Sequence, residues 1–115
     1  DSRIVQPILL VPGVVYEISA WARADEVDQV GKGVHLVLLD HYAAESEELH
    51  GTSGWRRLRF YIVNLGVEST SVQLAARLGT WGSLMKGRAW FTAISARAVE
   101  KPEIGSELYE IGGVE

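Results

Sequence analysis

Apolar and polar side chains alternate every second residue along several short stretches of this chain. No stretch carries a sustained apolar stripe at helical spacing. From Val14 to Ala24, the residues Val14, Tyr16, Ile18, Ala20 and Ala22 fall on one face, with Glu17, Ser19, Trp21 and Arg23 on the other. Trp55 to Val63 sets Leu58, Phe60 and Ile62 against Arg57, Arg59 and Tyr61. Ser71 to Leu78 sets Val72, Leu74, Ala76 and Leu78 against Gln73, Ala75 and Arg77, and Arg88 to Val99 groups Trp90, Thr92, Ile94, Ala96 and Ala98. Val34 to Leu39 is nearly all apolar, as expected of a strand covered on both faces. Arg3 to Val11 is also strand-like, and Pro7 assigns it to an edge or a bulge.

Turn and loop signals separate these stretches. They are Pro12-Gly13, the polar connection Asp25 to Gly33, Gly51-Thr52-Ser53-Gly54, Asn64-Leu65-Gly66 and the loop Gly79 to Gly87. Ala43 to Leu49 reads as a helical turn or a loop. Short strands divided by turns predict an all-β fold, an antiparallel β-sandwich, over residues 1–101. After Pro102 the composition shifts to glycines and acids, so 102–115 reads as a C-terminal tail or linker remnant. The chain opens on Asp1-Ser2-Arg3 without Met or signal peptide, and is read as a piece of a longer protein.

A chain of 115 residues is long enough for one cored domain. Its net charge of −4 disfavours binding to a phosphate backbone, although a local basic patch, if present, centres on Arg56, Arg57 and Arg59. No apolar run approaches membrane-spanning length, so no membrane insertion is expected. The absence of cysteine removes disulfides, thiolate catalysis and cysteine-bound zinc.

Four elements carry a resemblance to a known family. They are Pro12-Gly13 followed by Tyr16-Glu17-Ile18-Ser19-Ala20-Trp21-Ala22-Arg23; Gly33-Val34-His35-Leu36; Gly51-Thr52 with Trp55 after it; and Gly87-Arg88-Ala89-Trp90-Phe91. In order and spacing the chain resembles the carbohydrate-binding modules of the galactose-binding-like jelly roll, nearest the family 4/9 type. The resemblance implies a jelly-roll sandwich that starts late, short of N-terminal strands the family carries. It further implies a non-catalytic module of a larger extracellular or cell-envelope protein, with carbohydrate and neighbouring domains of the parent as partners. The family's last strand often reads Trp-Phe-Asp-Asp, an aspartate helping to hold calcium. Here Trp90-Phe91 is followed by Thr92-Ala93, so the carboxylates a hard cation wants are missing and no cofactor is expected.

Sugar binding needs a flat apolar ring against pyranose C–H groups, and forked polar groups for the hydroxyls. By strand parity, the faces opposite the core stripes carry Trp21 and Arg23, Arg59 and Tyr61, and Gln73 and Arg77; His35 joins them, and the loops add Tyr42 and Trp81. The expected ligand set is therefore Trp21, Arg23, His35, Tyr42, Tyr61, Gln73, Arg77 and Trp81 along one groove, with stacking on Trp21 or Trp81.

Blander readings stand beside these. Trp55 and Trp90 are expected in the core or in strand-end packing. Arg23, Arg59 and Arg77 also read as a solvated ladder with Glu17, and Glu45, Glu47 and Glu48 as a solvated acidic loop. Asp40 and His41 are sequence neighbours that would point to opposite faces of a strand, poor geometry for a catalytic relay, and His35, His41 and His50 match no compact metal spacing. No carboxylate sits in a strand context that would raise its pKa, so the chain is not read as an enzyme. The alternative reading is a structural or protein-interaction sandwich that packs on other domains or self-associates, with Ile8 to Val11 as an apolar edge.

Overall fold

The computed structural model describes residues 3–79 and 86–113. They form β1 (Arg3–Leu10), β2 (Val15–Val27), β3 (Val34–Leu39), β4 (His41–Glu45), β5 (Gly51–Asn64), β6 (Thr70–Leu78), β7 (Arg88–Val99) and β8 (Leu108–Ile111). The strands build two sheets, in the orders β1-β6-β3-β4 and β7-β2-β5-β8. Every pairing is antiparallel except β5 with β8. The fold is thus a two-layer β-sandwich, and no helix occurs among the described residues.

The alternating residues meet between the layers. Leu10, Ile18, Leu36, Leu38, Leu58, Ile62 and Leu74 are fully buried and form the centre of the core. Interior contact of this kind is worth about 1.5–3 kcal/mol for each large aliphatic side chain.

The structure corrects several local expectations. Gly51-Thr52-Ser53-Gly54 is not a loop but the start of β5. Strand β2 runs on to Val27, through a bulge where Glu26 takes φ +53°. His41–Glu45 is a short edge strand rather than a helical turn or loop, entered through Asp40 at φ +74°. The segment expected to be a tail supplies β8, whose residues Leu108 to Ile111 pair with Tyr61 to Asn64.

Strand β7 holds the correction with most consequence. The pairing Ser19↔Ser95 is followed by Trp21↔Thr92, so β7 spends one residue more than β2 over this step. The extra residue sits beside Ala93, which adopts φ +55°. A bulge of this kind turns the strand by one position and exchanges its faces. The stripe of Trp90, Thr92, Ile94, Ala96 and Ala98 expected from strict alternation is therefore broken. Beyond the bulge Ala96 and Ala98 pair with Ile18 and Tyr16, while Trp90 and Thr92 pair with Arg23 and Trp21 on the outer face.

Candidate functional site

The outer face of the sheet β7-β2-β5-β8 can be laid out in rows from the register. Arg97, Glu17 and Tyr61 stand side by side, then Ser95, Ser19 and Arg59, then Thr92, Trp21 and Arg57, and finally Trp90 and Arg23. Successive rows lie about 7 Å apart, two residues of strand rise.

Glu17 organises the lower rows. Its side chain is only 4% exposed, and both oxygens are taken up. Arg57 Nη2 and Arg97 Nη2 donate to Oε1 at 2.7 and 3.0 Å. The Tyr61 hydroxyl donates to Oε2 at 3.0 Å, and Arg59 Nη1 approaches the same oxygen at 3.5 Å. Burial works to raise the Glu17 pKa, but the bonds from Arg97 and Tyr61 and the charge of Arg57 outweigh it and hold the carboxyl below its ordinary value. The solvated ladder expected for Glu17 is instead a buried carboxylate with charged partners around it. The connection between β7 and β8 explains the burial, because it must pass β2 and β5 to reach the far edge. On the way Glu103 forms an ion pair with Arg59.

The upper rows are open. Trp21 is 44% exposed, with Arg57 and Thr92 as its flanking partners in register. Arg23 lies over the Trp90 ring at 4.2 Å and Arg88 at 5.8 Å, two cation–π contacts to one indole. Arg88 Nη2 also bonds Asp25 Oδ2 at 2.7 Å. Trp55 and Trp90, expected in core or strand-end packing, are instead surface residues, 47% and 36% exposed.

The expected ligand set is not one groove. Trp21, Arg23 and Tyr61 share this face, while His35, Tyr42, Gln73 and Arg77 belong to β3, β4 and β6 of the opposite sheet, and Trp81 lies outside the described residues. Parity within a strand tells inside from outside but not which of two outsides. Of the first group, Tyr61 is 2% exposed and committed to Glu17. Of the second, His35 and Arg77 are opposite one another in register and 1% and 6% exposed, with the Tyr42 ring 5.8 Å from the Arg77 guanidinium. Gln73 and Tyr42 are exposed. His35 Nδ1 faces the Gly33 carbonyl at 2.9 Å, which can only accept, so Nδ1 carries the proton and Nε2 is a lone pair. That Nε2 and the Arg77 Nε–H have no partner, and a single hydroxyl group has the donor and acceptor both require. Burial lowers the His35 pKa, followed by the charge of Arg77 working against the Gly33 bond, so the ring stays neutral at physiological pH.

Two features were missed from sequence: Arg57 and Arg97 as partners of Glu17, and Trp90 as a surface ring. The alternation put Arg57 and Arg97 on the outer faces of their strands but could not show that both strands flank Glu17, and the β7 bulge concealed Trp90. A cleft of about 270 Å³ lies beside this sheet, lined by Glu45, Glu47, Arg59, Tyr61, Glu107 and Tyr109 among others. Its rings are not free for stacking, since Tyr61 is buried and Tyr109 packs edge-on against Phe60 at 6.0 Å.

The expected acidic loop is likewise bound up. Lys32 Nζ contacts Glu45 Oε1 at 2.6 Å and Glu48 Oε2 at 3.0 Å, and Glu48 Oε1 accepts from the Gly33 amide and contacts His50 Nε2. Burial tends to raise the Glu48 pKa, yet the Gly33 amide, Lys32 and His50 bring it down to about 2. A carboxyl whose folded pKa lies below its unfolded one stabilises the fold above the unfolded value, and that stability is lost as pH falls. Urea titrations are therefore expected to show stability declining from about pH 5 towards pH 2, with Glu48→Gln weaker at neutral pH and flatter across this range. An acid limb of equal slope in both proteins would remove Glu48 as its source.

No group of three or more His, Asp or Glu among the described residues is placed to hold a metal ion. Comparison with protein-family models, curated proteins and solved structures returned no match.

Proposed function

We propose that this domain is a non-catalytic carbohydrate-binding module, of the galactose-binding-like jelly-roll type, within a larger extracellular or cell-envelope protein. The observation that carries the reading is the exposed Trp21 ring set among Arg57, Thr92 and the Arg23–Trp90 stack on one flat sheet face. Trp21 offers the platform for a pyranose face, and Arg57 and Arg23 offer forked donors at its edges. This face is favoured over the Tyr42 face because there the hydrogen-bonding side chains, His35 and Arg77, lie beneath the surface. Glu17 and Glu48 are both held in the ionised form, which suits neither to donate a proton at neutral pH.

A glycan-array screen followed by titration calorimetry tests the reading. Trp21→Ala is expected to weaken any glycan hit tenfold or more, since a stacked indole contributes about 1.5–3 kcal/mol. Its effect on stability should stay below about 1 kcal/mol, because the ring is largely outside the core. A folded protein with no hit on a broad array would sink this reading.

A second reading draws on one observation. Strand β1 is an edge strand that leaves Ile4, Val5 and Leu9 exposed by 45, 40 and 58%, and Val11 just after it is 41% exposed. Such an edge is suited to packing against another domain or a second copy. Concentration-dependent dimerisation that is abolished by Leu9→Lys would favour it.

A further inference from the structure

We infer that the glycan taken by the Trp21 face is anionic, a uronate-bearing chain; this rests on the carbohydrate reading above. The chain as a whole carries −4. The paired groups of this face run the other way: five guanidiniums (Arg23, Arg57, Arg59, Arg88 and Arg97) meet three carboxylates (Glu17, Asp25 and Glu103), leaving +2. Glu47 and Glu107 border its Arg59 and Tyr61 end, so the cationic part of the face is the Trp21 end, around Arg57, Arg23 and Arg88.

The arginines are also prepared for a second anion. Arg97 and Arg57 meet Glu17 through one nitrogen each, at Oε1, and their side chains remain 66% and 38% exposed. Glu17 thereby fixes both side chains before any ligand arrives, while their other N–H groups remain available. Each guanidinium has five donors in a planar fork, a geometry that suits a carboxylate better than a neutral hydroxyl. Arg23 and Arg88 are held in the same way by Trp90. Along β2, Glu17 and Ser19 are buried, so the open part of the face is Trp21 and Arg23, with Arg57 beside Trp21 and the exposed Arg97 at the far end. A polymer that alternates apolar ring faces with carboxylates matches that sequence of stacking and charge. The nearby cleft, lined by Glu45, Glu47 and Glu107 with Arg59 as its one guanidinium, is less favourable to such a chain than the Trp21 end of the face.

The probe pair is a short oligogalacturonate and its fully methyl-esterified form, the same sugar without its charge. Calorimetry on the intact chain is expected to show the acid form binding about tenfold more tightly at low salt. That ratio should shrink between about 0.02 M and about 0.5 M salt, as screening shortens the reach of the arginines. Arg57→Gln should weaken the acid form more than the ester and so lower the ratio, and Trp21→Ala should weaken both forms alike. Circular dichroism of each variant separates loss of binding from loss of fold. Equal affinity for acid and ester overturns the uronate assignment and leaves the glycan reading standing. Absence of binding to both, and to a panel of neutral glycans, overturns the glycan reading and the assignment with it. Acid binding that survives Trp21→Ala, or that polyglutamate or RNA matches, identifies attraction by charge alone and also overturns the assignment.

Discussion

Replacing Glu17 with alanine is expected to destabilise the domain by about 2–3 kcal/mol. Removing one partner from a buried ion pair costs about 3–5 kcal/mol when the stranded charge has no route to water. Here Glu17 is 4% exposed, but its arginine partners are 38, 29 and 66% exposed and recover part of their hydration, which lowers the figure. The Tyr61 hydroxyl, buried beneath the connection through Glu103, loses its acceptor and adds to the loss. Glu17→Gln should do no better than half-way, because its amide nitrogen would face guanidinium N–H groups. Urea midpoints at neutral pH measure this. A change under about 0.5 kcal/mol would show that the arginines relax outward without loss, and that the carboxylate does not organise them.

Replacing Asn64 is expected to have an equal or larger effect, for a different reason. Asn64 is 2% exposed and its amide joins three chain segments. Nδ2 donates to the Leu10 carbonyl at 3.0 Å and to the Glu68 carbonyl at 2.9 Å, and Oδ1 accepts from the Gly66 amide at 2.8 Å. Its own carbonyl accepts from the Gly13 amide at 2.8 Å, where the chain passes from the first sheet to the second. Asn64→Ala removes three side-chain bonds at about 1 kcal/mol each and leaves the Leu10 carbonyl, at a fully buried residue, without that donor. A loss of about 3 kcal/mol follows, roughly 10–20 °C in melting temperature for a domain of this size. Asn64→Asp keeps the shape but turns a carboxylate towards two carbonyl oxygens, so it should be no more stable than Asn64→Ala. Melting curves of both variants test the account, and an Asp variant close to wild type would contradict the assigned amide orientation.

The core was legible in sequence wherever alternation ran without interruption. Ile18, Ala20, Ala22, Leu58, Phe60, Ile62, Val72, Leu74 and Ala76 all face inward as their spacing requires. The same rule failed in β7, where one added residue beside Ala93 reverses the faces and moves Trp90 to the surface. Nothing in Thr92-Ala93-Ile94 marks a bulge, since alanine seldom takes positive φ and is held there by pairing to β2 on both sides. Similarly, nothing in Leu108 to Ile111 marks a strand apart from its neighbours, and its order comes from the exposed edge of β5.

The sequence by itself determined an all-β, two-layer protein and which side of most strands is dry, because burial imposes a two-residue period that local order carries. Only the tertiary structure decided which residues share a surface. It divided Trp21 and Arg23 from His35, Tyr42, Gln73 and Arg77 by assigning their strands to opposite sheets. It also placed Arg57, Arg97 and Tyr61 around Glu17, contacts that join residues forty or more positions apart. Strand order and register arise from pairing between distant segments, and a period read along one segment carries no record of which neighbour lies beside it.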